Sequence, residues 1–600
     1  MVNINPRVVV RSSAYPKDMV DRLFEVENIE DYVLELIQDN AFMERILIAS
    51  EDLYQDLLRI RTKKITPSRE HVRKTIKYLI RMSSRTAPFG LFAGICWRSH
   101  PESLATESPH KSIRISIEWH QHTAKRLEQL LSTSSSILIY KSNNWRETSD
   151  SVYMDLARGQ EICRVELKKT AFISKLKTYL SSPRSMQEII QYFSDPVQSL
   201  DDTILHSIKL LLRQDFLFSE LRPSSVATGG NSLERMITFA SSIDHELYDQ
   251  LKAVQALLYR YEQLPVGEGI AVYLELKRKM KDICVTPNHR YLVVDTYVKD
   301  TAPELRTELI HALLQEIQFL KGFQVLQTNR IWGNYSNKFA DQYGLYQEVP
   351  LLDVLDCDVG IGLPEMKGNR SEQEDQLDHY LVSLIQETLI NGNSVIKLTA
   401  NHIHRMETIL RSTEHDKLQD GYDVKFSVIH EHGVEKILFT ENAFRQTAGA
   451  FTGRFCDSSR YPMQKYKDDC YISAEINILP SNYADIGITY YPCEYEIVNY
   501  ADPRRAVHQI ELSDLYVGMD HHGLYIRSRS HGQKILPVTT HLLFYRNFVE
   551  NPELIFLSEF GKYRGSAQQN INFASMQHLP FIPRLEYNHI ILSPKRWQLF

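Results

Sequence analysis

The stretch Arg81–Gly94, RMSSRTAPFGLFAG, decides how the rest of the chain is read. Arg81 and Arg85 are four residues apart, so on a helix they stand on one side. Ala87-Pro88 then ends that helix, because proline lacks an N–H and pushes the residue before it toward extended geometry. The run Phe89-Gly90-Leu91-Phe92-Ala93-Gly94 follows, apolar and with two glycines that permit close backbone approach.

Working outward, Ser68 after Pro67 is a good N-cap for the helix that leads into this stretch. Val72, Ile76, Leu79, Ile80 and Ser83 fall on one face of it, the expected core face. Arg73, Lys77, Arg81 and Arg85 form a stripe opposite. Between Arg59 and Arg85 there are ten Lys or Arg and one acid, Glu70. A charge run is ordinarily a solvated face. This one runs into a Pro-Phe-Gly turn and large apolar residues, so its last arginines are expected to be ordered and partly sheltered. Guanidinium forks held in that way suit phosphate or carboxylate.

Composition narrows the function classes. The 600 residues exceed what one simple core holds, so several subdomains are expected. Net charge is −6, which leaves no global field to draw the chain to DNA; any nucleic acid must be held by a local patch. The longest apolar runs are about ten residues, short of the roughly 20 that span a bilayer, and residues 1–15 lack a signal-peptide core. Seven scattered cysteines, none in a Cys-x-x-Cys pair, point to a reducing, cytoplasmic setting and away from structural zinc. The pairs His120/His122, His402/His404 and His430/His432 lack a third ligand, so no metal is expected.

Along the chain, residues 5–11 read as a strand ending at Arg11, and helices fill 29–62. Residues 135–222 form a unit with strands at 137–140, 152–156 and 161–167, three helices and a closing strand at 216–221. That is a winged-helix pattern, but its third helix is too apolar to read bases. A peptide added to an exposed strand edge is at least as plausible a ligand. Residues 223–232 read as a linker and 303–320 as a helix. Asp295 sits inside the strand YLVVDTYV, where a carboxylate needs a donor or a proton. Asp353, Asp356 and Asp358 precede Gly360 and Gly362 without a calcium-loop pattern, so they read as turn formers. The C-terminal third is mostly strands, with a hairpin near residue 523, and Arg454 lies in TGRF ahead of them. The expected class is α+β: mixed helices and largely antiparallel sheets around an inserted winged-helix unit. No phosphate loop, dinucleotide fingerprint or nucleophile elbow is present.

RMSSRTAPFGLFAG resembles the signature of lantibiotic dehydratases, the class I lanthipeptide enzymes. Ordered matches extend from VVVRSS through VVDTYV, VPLLDVLDCDVGIGLP, TGRF and ELSDLYVG-to-LYIRS to LPFIPRLEYNHIILSPKRW. The resemblance implies glutamyl transfer from glutamyl-tRNA, as co-substrate with no bound cofactor, to Ser or Thr of a ribosomal precursor peptide. It implies Arg81, Arg85, Asp295 and Arg454 as catalytic residues, and Arg11, Arg73, Lys77 and Thr86 as contacts to tRNA or substrate. Glu118 matches a further acidic position more weakly. It also implies leader-peptide recognition by residues 135–222, between transfer regions at 1–134 and 223–600. A homodimer is compatible with it.

Two departures stand out. The family has Thr where this chain has Ala87, with Thr86 one place earlier. The family's full-length members carry an elimination domain beyond the last residue here, so a separate elimination partner is expected. The alternatives are a ligase that adds an amino acid from aminoacyl-tRNA to a carrier peptide's C-terminus, and a non-catalytic leader-binding scaffold.

Overall fold

The computed structural model describes residues 7–99, 110–158, 161–194, 201–226, 232–298, 309–310, 313, 326–365, 372–410, 421, 423–439, 444–445, 447–456, 471–478, 484–491, 493–499, 507–547, 549–564, 576 and 578–598. The class is the expected one, helices mixed with largely antiparallel sheets. Most of the 303–320 segment lies outside the described residues.

Four strands build the sheet that matters most. Arg7–Ser13 pairs antiparallel with Ala93–Ser99, which in turn meets Leu292–Tyr297 in parallel, and His110–Ile115 closes the far edge antiparallel. The first strand continues past its expected end at Arg11 through Ser12-Ser13, because these serines pair with Gly94 and Ala93. Gly94 is required here. A Cβ there would run into the Val298 side chain and crowd the Thr296 carbonyl, so glycine lets the two central strands approach.

The basic helix runs Arg69–Ser84 and opens as expected, with the Ser68 side chain accepting from the His71 N–H in a reciprocal capping box. Its buried side is Thr75, Leu79, Met82 and Ser83, with Val72 and Ile76 half-buried and Ile80 exposed. The core face is thus rotated from the expected one, toward the buried Thr75 and Met82. The 29–62 segment is three helices, Ile29–Leu36, Asn40–Ala49 and Glu51–Arg61.

In residues 135–222, strands Leu138–Lys141, Arg184–Ser185 and Leu217–Ser219 form one small sheet, and Arg146–Glu147, Ser151–Arg158 and Glu161–Lys168 form another. Three helices, Ala171–Tyr179, Met186–Phe193 and Asp201–Arg213, complete it. Its apolar residues merge with those of the N-terminal helices into one core running from Tyr32 to Val294.

A second core lies under a seven-stranded sheet covered by helices Leu326–Tyr343 and Pro552–Arg564; its strands Lys534–Val538, Tyr471–Asn477, Tyr495–Val498 and His508–Glu511 run parallel. The hairpin expected near residue 523 is present, with Asp520 opposite Gly523. A third core sits under a five-stranded sheet flanked by helices Glu372–Ile390 and Ala400–Leu410.

An ionic network ties residues 135–222 to the second core. Arg146, buried, pairs with Asp155 and lies 3.6 Å from Asp356 and 2.5 Å from Glu553. Arg164 pairs with Asp155, Asp356 and Asp358, and Tyr153 donates to Asp356 at 2.7 Å. Asp356 is therefore more than a turn former. It accepts the Asp358 and Val359 N–H groups and docks a distant hairpin as well. Asp155, Asp356 and Cys357 bring ligand atoms within 4.8 Å of one another, but these carboxylates are already met by two guanidinium groups.

Candidate functional site

The strand Leu292–Tyr297 carries Asp295, only 4% exposed, in the middle of an apolar run. Burying a carboxylate this deeply requires partners. Arg114 Nη1, from the adjacent strand, donates to Asp295 Oδ2 at 2.9 Å. Arg454 comes from the far side, with Nε 3.3 Å from Oδ2 and Nη2 on Oδ1. Two guanidinium groups thus share one acid.

Arg454 stands on a short 3-10 turn, Gly453–Phe455, that is pinned from several directions. Asp423 accepts the N–H groups of Gly449 at 2.9 Å and Phe451 at 2.8 Å. Trp97 donates from its indole to the Phe455 carbonyl at 3.3 Å. Gly453 is packed so closely on the Thr540 backbone that no side chain fits. Arg11, on the first strand, donates to the Phe451 carbonyl at 2.5 Å and lies over the Phe451 ring. The four-stranded sheet and this turn therefore bring Arg11, Arg114, Asp295 and Arg454 to one place.

Burial shifts the charged groups of the cluster. Burial, together with the nearby Arg114 and Arg11, pulls Arg454 down to about 9. Burial also lowers Arg11, opposed by Asp423. The flanking acids Asp423 and Asp485 are both pushed above the usual carboxylate range by burial. Asp485 Oδ1 caps the Ile117 N–H at 2.8 Å, and its carbonyl accepts from Arg114 Nη2 at 3.2 Å.

Arg73, Lys77, Arg81, Arg85 and Thr86 are elsewhere in character. All five are exposed, so the sheltered arginines expected from sequence are not found. The helix ends at Ser84 and Arg85 turns extended, but Phe89 is itself 62% exposed, and no described segment covers the pair. Arg81 lies over the Tyr78 ring, and Arg73 is committed to Glu70 through two contacts of 2.8 Å. The stripe connects to the buried cluster through backbone: Gly90, with φ +55°, offers its carbonyl to the Thr296 hydroxyl at 3.1 Å, one residue beyond Asp295.

Glu118 is buried at the start of helix Ile117–Gln129, where Oε1 accepts from the Asn288 backbone at 2.8 Å. It holds a turn in place. Ala87 is exposed. Arg114, Asp423 and Asp485 escape the sequence reading. A cation alternating with isoleucines in KSIRIS was the available signal for Arg114; Asp423 opens a two-residue strand and Asp485 lies in a four-residue 3-10 turn, both too short to carry a periodic signal.

A family model described as the lantibiotic dehydratase N terminus matches residues 38–600. The epidermin biosynthesis protein EpiB of Staphylococcus epidermidis is 25% identical over 637 residues, covering 98% of this chain and 61% of that protein. The nisin biosynthesis protein NisB of Lactococcus lactis subsp. lactis is 21% identical, covering 95% of this chain and 59% of its own length. The chain thus spans about three-fifths of these relatives. Among solved structures, the fold is similar to the tRNA dependent lantibiotic dehydratase MibB from Microbispora sp. 107891, with TM-score 0.79 and 18% identity over 99% of this chain and 60% of that one. It is also similar to TbtB, the glutamylation domain from thiomuracin biosynthesis, with TM-score 0.66 and 15% identity over 95% and 73% of the two chains.

Proposed function

This chain belongs to the lantibiotic dehydratase family, matching its N-terminal region, and on that premise we propose that it transfers glutamate from glutamyl-tRNA to Ser or Thr hydroxyls of a ribosomal precursor peptide. The observation that carries the reading is the buried carboxylate between Arg114 and Arg454, with Arg11 held on the same turn. An aminoacyl ester is already activated, so the protein's work is to orient the two reactants and to meet the charge of the tetrahedral intermediate. Arg454 and Arg11 supply cationic donors for that oxyanion or for the donor's phosphates. Asp295 is placed to orient either the donor's α-amino group or the attacking hydroxyl.

The exposed stripe of Lys77, Arg81 and Arg85, with Arg73 and Thr86, is the tRNA-facing surface; it leads by its own backbone into the loop that touches the Asp295 strand. Residues 135–222 recognise the leader. Glu161–Lys168 is an edge strand, pairing among the described residues only with Ser151–Arg158, and so offers main-chain groups to an added peptide strand. Only the glutamyl-transfer step is assigned to these residues, in a cytoplasmic setting. No described helix is long and apolar enough to cross a membrane.

The test is incubation with the precursor peptide, total tRNA, synthetases and labelled amino acids, read by mass spectrometry. Glutamate mass on internal Ser or Thr is the expected result. A residue added at the peptide's C-terminus identifies a ligase instead, and leader binding without tRNA-dependent mass change identifies a scaffold. Arg81→Ala is expected to weaken use of the charged tRNA while leaving leader affinity unchanged; equal loss of both would refute the division between stripe and inserted unit.

A further inference from the structure

Arg114 is not among the residues to which the family resemblance assigns a role, yet it has the most built-in place in the cluster. It belongs to the sheet itself, on strand His110–Ile115, whereas Arg454 rides on a three-residue turn. Its two terminal nitrogens join separate segments, Nη1 to Asp295 at 2.9 Å and Nη2 to the Asp485 carbonyl at 3.2 Å. Asp295 Oδ2 is shared between Arg114 and Arg454.

One carboxylate balances one guanidinium. Asp295 is contacted by both guanidinium groups and cannot balance two cations at once, and Arg11 stands close by on the Phe451 carbonyl. If one of the two arginines on Asp295 turns to a ligand, Arg454 is the one that does so at lower cost. Arg114 then keeps the buried acid paired, and an unpaired buried charge would be strongly unfavourable.

We propose that Arg114 is a positioning residue: it fixes Asp295 on the sheet and answers its charge, leaving the Arg454 guanidinium to receive an anionic oxygen of the substrate. The inference rests on the glutamyl-transfer reading and concerns the same site. Arg114 makes and breaks no covalent bond.

A double-mutant cycle on the full chain tests it, with kcat and KM measured for R114Q, R114K, D295N and R114Q/D295N. R114Q should lower kcat about tenfold or more, with KM for the peptide changed less than about threefold. R114K should recover most of that loss, and the double variant should be no slower than D295N alone. Multiplied losses in the double variant, an unchanged kcat in R114Q or no rescue by lysine would each overturn the proposal. A second readout does not depend on the reaction: calorimetric titration with inorganic phosphate. Wild type should bind it, R454Q should not, R114Q should bind more weakly, and D295N placed in R114Q should restore binding by releasing Arg454. Absence of wild-type binding, or no restoration, overturns the proposal. A wild type that binds phosphate but forms no glutamyl ester defeats the functional reading instead.

Discussion

At the scale of single residues, the site depends on small side chains and fully met charges. Gly453→Ala would press a methyl group into the Thr540 carbonyl and displace the turn that carries Arg454. Glutamyl transfer should fall at least tenfold, on the order of losing a transition-state donor, whereas Gly333→Ala should leave it intact, because Gly333 has open space around it and lies on the helix Leu326–Tyr343. Away from the site, Glu44 is fully buried and accepts from Lys111 at 2.9 Å, Tyr261 at 2.7 Å and Gly269 N–H at 3.2 Å. Glu44→Gln strands the Lys111 ammonium without a counter-charge, and urea unfolding should show a loss of about 3–5 kcal/mol. Strand His110–Ile115 thus places one cation on each face, Lys111 toward Glu44 and Arg114 toward Asp295.

At the scale of the element, the basic helix combines a local stability device with an exposed surface. Ser68→Ala removes the acceptor for the His71 N–H and should cost about 1 kcal/mol, seen as faster amide exchange in the first turn of Arg69–Ser84. Lys77→Glu and Arg81→Glu change only exposed charge, so the melting temperature should hold. Affinity for tRNA should drop, and the dependence of that affinity on salt should become shallower, because fewer phosphate counterions are released. An unchanged salt slope would remove the stripe from the tRNA surface. The helix start, its end before Pro88 and its basic stripe were all legible in sequence, since caps, proline and periodicity are local. Its exposure was not, because what covers an arginine is decided by segments far away in the chain.

At the scale of the whole molecule, buried histidines make stability depend on pH. Burial pulls His120 down to about 4 and His541 to about 3. The Leu543 N–H donates to His541 Nδ1 at 3.2 Å, so protonating that nitrogen breaks a buried bond. In the unfolded chain both rings take up protons near pH 6.5. The unfolded state therefore binds more protons below that pH, and stability present above it is lost as pH falls toward about 4 and 3. The urea midpoint should decline from pH 7 to 5, and His541→Asn should flatten the decline; a pH-independent midpoint would contradict the buried neutral state. The Arg146 network works at the same scale, joining residues 135–222 to helix Pro552–Arg564. Arg146→Met should leave Glu553 buried without its cation, loosening that junction in hydrogen exchange before the rest of the chain.

The sequence by itself determined the α+β class, the capped basic helix, the hairpin at residue 523 and the candidates Arg11, Asp295 and Arg454, because turns, caps, alternation and family motifs are written in neighbouring residues. Only the tertiary structure decided that these three converge, that Arg114 joins them, and that Arg81 and Arg85 stand in solvent. The physical reason is separation: Arg11, Arg114, Asp295 and Arg454 each lie more than a hundred residues from the next, and what unites them is strand order, one close-packed glycine turn and the need of a buried carboxylate for partners.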